Sequence, residues 1–255
     1  MCAESEPMPE ILTTLPDGLP WLALTVLLAG LVRGFSGFGT ALVFVPVAAR
    51  LLSPAEVVVT LLVIDLLGPM LLVPDALKKG EPREVSLLGL GALIGIPAGV
   101  WLLTRIDPLA FRWFASLAVL LLVAVLIGGW RYTGRTAKPM ITGIGALSGL
   151  MGGFSGLSGP PIILLYLGGS NAPARIRANI ILFFTFTEFV AAITLWLNDL
   201  LTMQSIILGL VLAVPYTAAT LTGSALFRRF GEAHFRNVAY VAIIASALTG
   251  LPIFD

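Results

Sequence analysis

One glycine-rich hexapeptide occurs twice in this chain, at corresponding places in its two halves. It reads GFSGFG at 34–39, the first tip, and returns 119 positions later as GFSGLS at 153–158, the second tip. Each copy lies near the middle of a long apolar segment, 20–50 or 139–169. Glycine permits positive φ and close backbone approach, so it can interrupt a helix. A duplicated interruption in membrane-length segments is typical of transporters whose site is built from two broken helices.

The composition indicates a membrane protein. Hydrophobic residues make up 58% of the chain and charged residues 11%, whereas soluble domains average about 45–50% apolar and about 25% charged residues. Six further apolar segments, each about one bilayer crossing long, lie at 55–76, 85–104, 108–130, 172–197, 203–227 and 237–254. The sequence therefore predicts an all-α, polytopic membrane protein.

The duplication extends beyond the glycines. Pro54 matches Pro173 at the same offset of 119, and Pro97 matches Pro215 at an offset of 118. Each half therefore contains one broken segment followed by three spans. The predicted organisation is a tail (1–19), repeat 1 (20–130), a short polar linker (131–138) and repeat 2 (139–255).

The distribution of Lys and Arg distinguishes two topologies for the broken segments. If each segment crosses the bilayer, the chain has eight spans, and the cationic residues divide 8 to 6 between the two sides. If each segment dips in and returns as a hairpin, the halves are inverted and the division becomes 11 to 3, with Arg33 inside the membrane. Because Lys and Arg concentrate on the cytoplasmic side, we predict inverted repeats with re-entrant hairpins. Both termini are then extracytoplasmic and the linker is cytoplasmic.

The two tips form the predicted substrate site. Non-helical backbone at membrane depth occurs only where it is buried in protein or lines a cavity. The returning arm of each hairpin begins at its tip, and a helix N-terminus presents free N–H groups and partial positive charge that suit an anion. The predicted substrate-binding residues are Arg33, Gly34, Ser36, Gly37, Phe38, Gly39, Thr40, Phe154, Ser155, Gly156, Ser158, Gly159 and Asn179. The alternative is that the glycines only permit close helix packing.

Three charged residues lie within the apolar segments. Arg33 precedes the first tip, where it either pairs with a substrate anion or caps the carbonyl groups of the first arm. Its counterpart in the second half is Gly152, so a cationic site would be asymmetric. Asp65 and Glu188 lie midway along corresponding segments and are candidate proton-coupling groups, partners for Arg33, or structural hydrogen-bonding groups. Thr185, on the same segment as Glu188 and Asn179, is a further candidate for the cavity wall, and Tyr166 and Tyr216 are weaker candidates.

The sequence gives no indication of an enzyme, a metal or a cofactor. Cys2 and His234 are each single in the chain, so neither completes a metal site. The glycines of 149–156 lack the βαβ setting of a dinucleotide site, and no nucleophile–base pair is visible. A net charge of +1 gives no basis for nucleic-acid binding. The expected partners are a small anion and the lipid bilayer, and the oligomeric state stays open between monomer and homodimer.

The paired motifs resemble a known family. GFSGFG at 34–39, together with GFSGLSGPP at 153–161, is similar to the paired signature of the TauE/SafE sulfite-exporter family of bacterial membrane transporters. The resemblance covers about 20–254 and implies export or uptake of a sulfur-containing anion such as sulfite, sulfoacetate or a related sulfonate. One departure is the second tip, where Leu157-Ser158 stands in place of Phe-Gly. The two tips therefore cannot coordinate identically.

The residues and the resemblance together predict a secondary transporter of the bacterial cytoplasmic membrane. It moves a small sulfur-containing anion by alternating access. Coupling to protons through Asp65 or Glu188, or to the membrane potential, is a further hypothesis. Two alternatives stay open: an anion-selective channel built on the same tips, and a transporter of a small anion without sulfur. An intramembrane enzyme or a membrane-embedded assembly factor is a third reading.

Overall fold

All of the regular secondary structure in the described residues is helical. The computed structural model describes residues 18–36, 38–70, 73–128, 137–167, 172–230 and 232–253, and these ranges contain no strand. The predicted tail and linker lie almost wholly outside them. The helices are α1 (Leu19–Ser36), α2 (Thr40–Ala48), α3 (Pro54–Met70), α4 (Val73–Lys79), α5 (Pro82–Leu103), α6 (Pro108–Ile127), α7 (Lys138–Ser155), α8 (Gly159–Leu167), α9 (Pro173–Leu197), α10 (Met203–Phe230) and α11 (Glu232–Gly250).

Four of the described helices are long and apolar enough to cross a membrane, which confirms the prediction of an all-α polytopic protein. They are Pro82–Leu103, Pro108–Ile127, Ala174–Leu197 and Met203–Leu226. Leu19–Gly34 and Ala239–Gly250 are shorter apolar helices. The predicted single segment 55–76 is instead divided between α3 and α4, with residues 71–72 outside the described ranges.

Local signals in the sequence explain where several helices begin. Proline occupies the first turn of α5, α6, α7 and α9, where its missing N–H costs nothing. Asp107 caps α6, because its carboxylate accepts the N–H groups of Leu109 and Ala110. Ser53 and Glu56 exchange side-chain and backbone hydrogen bonds at the start of α3, which is a capping box.

Both glycine-interrupted segments fold back on themselves. A Cβ added to Gly18, just before α1, would lie 2.8 Å from Cδ1 of Leu51, beyond the end of α2. In one continuous helix these residues would be roughly 50 Å apart at ~1.5 Å per residue. In the second half, the hydroxyl of Ser148 on α7 donates to the carbonyl oxygen of Ser158, ten residues later and beyond the break. The arms α1 and α2 therefore form one hairpin, and α7 and α8 form the other.

The first arm of the second hairpin is fixed to a helix of the first half. Gly91, Gly95 and Gly99 on α5 face the backbone of α7 at successive helical turns, and a Cβ at Gly95 would collide with the carbonyl oxygen of Ala146. From α7, Gly145, Gly149 and Gly153 approach the backbone of α5 in the same register. Small residues spaced by four let two helix backbones approach closely in a membrane. The two helices run parallel.

The first hairpin is fixed to the second half in the same manner. Gly30 and Gly34 on α1 lie against the backbone of α10, where a Cβ at Gly34 would collide with the carbonyl oxygen of Thr220. The hydroxyl of Ser224 donates to the carbonyl of Gly34 at 2.8 Å. The pair α1–α10 corresponds to α7–α5 when the halves are exchanged, so each half uses the same two faces. Such a reciprocal contact is characteristic of a two-fold relation.

Close packing at these glycines is expected to be sensitive to a single methyl group. A Cβ at Gly145 would lie 2.7 Å from Cα of Leu88, so Gly145→Ala should lower the free energy of unfolding by about 1–3 kcal/mol. Thermal unfolding of the purified protein in detergent measures the loss. The control is Gly143→Ala on the same helix, where an added Cβ meets nothing within 4 Å. That variant should keep or raise the melting temperature, because Ala favours the helix; equal losses in both would contradict close packing.

Candidate functional site

A cavity lies where the two tips meet helices α3 and α9. Its volume is about 80 Å³, several times the ~10–15 Å³ that holds one water molecule in the same measure. Most of the wall is apolar, with Leu61, Ile96 and Phe184 among the lining side chains. The polar groups therefore stand out, and they come from both halves of the chain.

Each tip contains a glycine with positive φ next to a helix end. Gly39, with φ 110°, immediately precedes α2, and Gly156, with φ 74°, immediately follows α7. Both glycines line the cavity. L-residues with a side chain rarely adopt this backbone conformation, so the glycines in these two positions are required by the chain path. Gly39 is the sixth residue of its hexapeptide and Gly156 is the fourth, so these two glycines do not occupy corresponding positions of the repeat.

Two helix N-termini reach the cavity. Thr40 and Ala41 at the start of α2 line it from one side, and Gly159 and Pro160 at the start of α8 line it from the other. The N–H groups in the first turn of a helix have no acceptor within that helix, and the helix dipole places partial positive charge there. Ser158 lines the cavity directly before α8. This arrangement favours a negatively charged or oxygen-rich group.

A polar cluster with an ion pair joins four helices, α1, α2, α3 and α10, at the edge of the first tip. The guanidinium of Arg33 (Nη1) lies 3.5 Å from Oδ2 of Asp65 on α3, and both side chains are nearly buried, at 14% and 13% exposure. Tyr216 on α10 donates its hydroxyl to Oδ1 of Asp65 at 2.6 Å. Thr40 lies within hydrogen-bond distance of all three: 3.5 Å from Arg33, 3.0 Å from Asp65 and 2.7 Å from Tyr216.

The hydroxyl hydrogens in this cluster are limited to two. Thr40 and Tyr216 each have one O–H hydrogen, while the oxygens of Thr40, Tyr216 and Asp65 make three mutual contacts. Either both hydroxyls donate to the carboxylate, or one hydroxyl donates to the other, which donates to the carboxylate. In both arrangements the Asp65 carboxylate is the final acceptor of the cluster.

Glu188 faces the same cavity from α9. Of the side chains described along the wall, Arg33 carries the positive charge, whereas Asp65 and Glu188 are both carboxylates. The cavity therefore combines anion-binding backbone groups with an excess of acidic side chains. Among the described residues, no group of three His, Cys, Asp or Glu side chains gathers as a metal site would require.

The sequence of this chain is similar to those of known proteins. The family described as "Sulfite exporter TauE/SafE" matches residues 22–249, nearly the whole chain. The chain belongs to this family. A protein of Cupriavidus necator named "Probable sulfite/organosulfonate exporter TauE" is 29% identical over 240 residues, covering 89% of this chain and 91% of that protein. No solved structure matches the chain. Family membership and the apolar helices identify a multi-pass membrane protein of a transporter family.

The structure brings most of the predicted site residues of this TauE/SafE family member together around the cavity. The residues that line it are Arg33, Phe38, Gly39, Thr40, Asp65, Gly156, Ser158, Gly159 and Glu188. Gly37 lies outside the described residues, as does the side chain of Ser36. Of the partners considered for Arg33, Asp65 is the one that the structure places beside its guanidinium.

Four other predicted site residues make contacts elsewhere. Gly34 packs on α10, as described above. Phe154 stacks edge-on against Phe111 and Phe114, with ring centroids 5.8 and 4.8 Å away. The hydroxyl of Ser155 donates to the carbonyl of its own helix at Met151. Asn179 is fully buried, and its Oδ1 accepts the backbone N–H of Glu81 at 2.7 Å. These contacts give the four residues structural partners.

Sequence reasoning underrated Tyr216 and missed Thr187. Tyr216 follows Pro215, which belongs to the internal repeat, but nothing local shows that α10 packs beside the first tip rather than within its own half. Thr187 precedes Glu188, lines the cavity, and donates its hydroxyl to the carbonyl of Phe184 at 3.0 Å. Its position next to an intramembrane carboxylate in the sequence was the one signal that could have identified it as a cavity residue.

The hydrogen bond from Tyr216 to Asp65 is expected to couple the two residues energetically. Tyr216→Phe should destabilise the protein by about 1–3 kcal/mol, because a buried carboxylate loses a donor. In an Asp65→Leu background the same substitution should cost clearly less, leaving a coupling energy of about 1 kcal/mol or more. Thermal unfolding of the four proteins in detergent completes the cycle. Strictly additive effects would show that the hydroxyl does not serve the carboxylate.

Proposed function

We propose that the protein is a secondary transporter that moves a small sulfur-containing anion across the bacterial cytoplasmic membrane. Sulfite or an organosulfonate such as sulfoacetate is the substrate class. Family membership supports a transporter, and the name of the C. necator relative points to sulfite and organosulfonates. The observation that carries the proposal is a nearly buried guanidinium beside two helix N-termini in one apolar cavity.

The proposed binding mode follows from the donors around the cavity. The negatively charged oxygens of a sulfite or sulfonate group need several hydrogen-bond donors once they leave water. Arg33 provides a charge-assisted donor, and the starts of α2 and α8 provide backbone N–H groups. The hydroxyls of Thr40, Ser158 and Tyr216 complete the set. The remaining, carbon-bearing part of a sulfonate would contact the apolar wall.

We further propose that the two halves are inverted repeats with re-entrant hairpins. The fold-back of α1–α2 and α7–α8 is the geometry that a re-entrant segment needs, and the 11-to-3 distribution of Lys and Arg favours this topology. Repeat 1 is then 20–130 and repeat 2 is 139–255. The tail and both termini face the extracytoplasmic side, and the linker 131–138 faces the cytoplasm.

Alternating access would move bodies that contain helices from both halves. Because α1 is packed on α10 and α5 on α7 through glycine faces, each hairpin arm should move with its partner helix. The cavity lies between these two pairs and is lined by both tips. Rocking one pair against the other would expose the cavity to each side of the membrane in turn.

Charge balance supports coupling to protons. One guanidinium faces two carboxylates in the cavity, so an added anion would meet repulsion while both carboxylates are ionised. Proton binding by Asp65 or Glu188 would remove this repulsion. We therefore propose that anion transport is proton-coupled through one of these two residues.

Anion binding is expected to depend on Arg33. Sulfoacetate, isethionate and sulfite should raise the melting temperature of the purified protein, because a ligand of the folded state stabilises it. Arg33→Gln should weaken this binding about tenfold or more, since hydrogen bonds to charged groups contribute about 1.5–3 kcal/mol. Arg105→Gln is the matched control: the exposed Arg105 guanidinium stacks 4.1 Å from the Trp101 ring and should not affect binding.

A panel of ligands tests the substrate class and the binding site separately. Besides sulfoacetate, isethionate and sulfite, it contains taurine, sulfate and carboxylates matched in size to the sulfonates. Stabilisation by carboxylates but by no sulfur-containing anion would contradict the substrate class and leave the site in place. Stabilisation that is equal in wild type and Arg33→Gln would contradict the site.

Flux measurements should show carrier behaviour. In proteoliposomes, uptake of labelled isethionate is expected to saturate and to accelerate severalfold when unlabelled isethionate is loaded inside, because a carrier reorients faster when occupied than when empty. An anion-selective channel would show no such acceleration. Protein-free liposomes and Arg33→Gln proteoliposomes serve as controls for leak.

A further inference from the structure

We infer that the Asp65 carboxylate occupies the anion position of the empty site and must leave it, protonated, when the substrate anion binds. This inference rests on the proposed function and specifies how the same site is coupled. Asp65 would thus be a positioning and coupling residue that competes with the substrate for one set of donors.

The contacts of Asp65 are those that a bound oxyanion would make. Its Oδ2 faces the guanidinium of Arg33 at 3.5 Å, and its Oδ1 accepts the hydroxyl of Tyr216 at 2.6 Å and lies 3.0 Å from that of Thr40. Thr40 is also the first residue of α2, at the helix N-terminus. A carboxylate presents two anionic oxygens in a plane and a sulfonate presents three in a pyramid, and both groups can accept hydrogen bonds from such donors. The donors proposed for the substrate are therefore engaged by the protein itself.

The limited supply of hydrogens favours displacement. Thr40 and Tyr216 have two O–H hydrogens between them, and both are used in the cluster that ends at Asp65. A substrate oxygen can accept these hydroxyls only if the carboxylate gives them up. Arg33 has further N–H groups, so an arrangement with both anions on one guanidinium is the competing possibility.

Charge decides against that competing arrangement. The titratable and charged groups that face Asp65 in the described structure are Arg33 on α1, Tyr216 on α10 and Glu188 on α9. With both carboxylates ionised and a substrate anion added, three negative charges would surround one positive charge in an apolar cavity. If Asp65 leaves and takes up a proton, the net charge of the cavity stays as it was before binding. Burial of unbalanced charge is costly, so the electroneutral exchange is favoured.

The consequence is a defined coupling rule. Each anion that binds brings one proton with it, and the empty site is closed by its own carboxylate. Glu188 has no part in the exchange. This assigns the coupling role to Asp65 rather than to either carboxylate.

Proton uptake on anion binding tests the rule directly. The probe is isethionate, a sulfonate that stays ionised near neutral pH and so releases no proton itself. It is added to the purified full-length protein in weakly buffered detergent solution, and a pH indicator reports the protons taken up. We expect about one proton per bound anion in wild type and in Glu188→Gln, and none in Asp65→Asn.

Affinity measurements give an independent readout. Near neutral pH, Asp65→Asn should bind isethionate about tenfold more tightly than wild type, because a neutral amide competes for the donors more weakly than the carboxylate does. Wild-type affinity should rise as the pH falls, and that of Asp65→Asn should not. Glu188→Gln is the matched control, because it removes a carboxylate from the same cavity but frees no donor, so it should retain the wild-type pH dependence.

Three results would overturn the inference. The first is anion binding to wild type without proton uptake, which would mean that Arg33 holds both anions. The second is uptake lost in Glu188→Gln but kept in Asp65→Asn. The third is that Asp65→Asn binds none of the anions isethionate, sulfate and formate, although only a neutral amide then competes for the donors. If Asp65→Asn does not fold, uptake by wild type and Glu188→Gln still decides.

Failure of the proposed substrate class gives a different pattern. Proton uptake that accompanies formate or another non-sulfur anion, is kept in Glu188→Gln and accompanies no sulfonate would support the displacement of Asp65. It would contradict only the choice of sulfur-containing anions.

Discussion

Backbone that leaves the helix within a bilayer must find its hydrogen-bond partners inside the protein, because lipid offers none. The two tips meet this requirement mainly through small polar side chains. The carbonyl of Gly34 accepts the hydroxyl of Ser224, and the carbonyl of Ser158 accepts the hydroxyl of Ser148. Gly156 donates its N–H to the carbonyl of Gly152 at 2.7 Å. These bonds satisfy the broken backbone at its sides and leave the starts of α2 and α8 directed at the cavity.

The halves supply similar backbone but different charges to this cavity. Arg33 comes from the first half, where the second half has Gly152, and the wall near that glycine is occupied by Ser158. The carboxylates are also unequal, since Asp65 has partners from α1, α2 and α10, while Glu188 faces the cavity from α9. A duplicated scaffold thus holds one asymmetric ion pair. The repeated backbone forms the framework of the cavity, and the charged residues that differ between the halves provide its chemistry.

The sequence was sufficient to predict the framework because its signals are local. The composition predicted a membrane protein, and the glycine tips predicted broken helices at 34–39 and 153–158. The helices do break there, at Ser36 and Ser155. The arrangement of charges favoured re-entrant hairpins over straight crossings, because each topology places whole loops on different sides of the membrane. Both segments fold back on themselves, and the inverted topology stays a prediction.

The remaining details depend on contacts between distant segments, which no local pattern records. Gly34 and Gly153 belong to the tip motifs, yet they pack against α10 and α5. Asn179 was predicted to line the cavity because it shares a helix with Glu188, but its side chain binds the backbone at Glu81. Tyr216 was underrated because α10 joins the first tip only through tertiary packing. One turn of a helix separates a cavity residue from a packing residue, and sequence spacing alone does not fix that rotation.

The exchange of helices between halves also has a consequence for biosynthesis. Ser224 and Gly34 hydrogen-bond although they are 190 residues apart, and the glycine face of α1 has its partner on α10. Chains emerge from the ribosome N-terminal end first, so α1 is made long before α10. Until α10 follows, the glycine face of α1, next to Arg33, has no partner helix in the membrane. The α5–α7 pair can assemble much earlier. The N-terminal hairpin, although synthesised first, should therefore be among the last parts of the molecule to reach its final place.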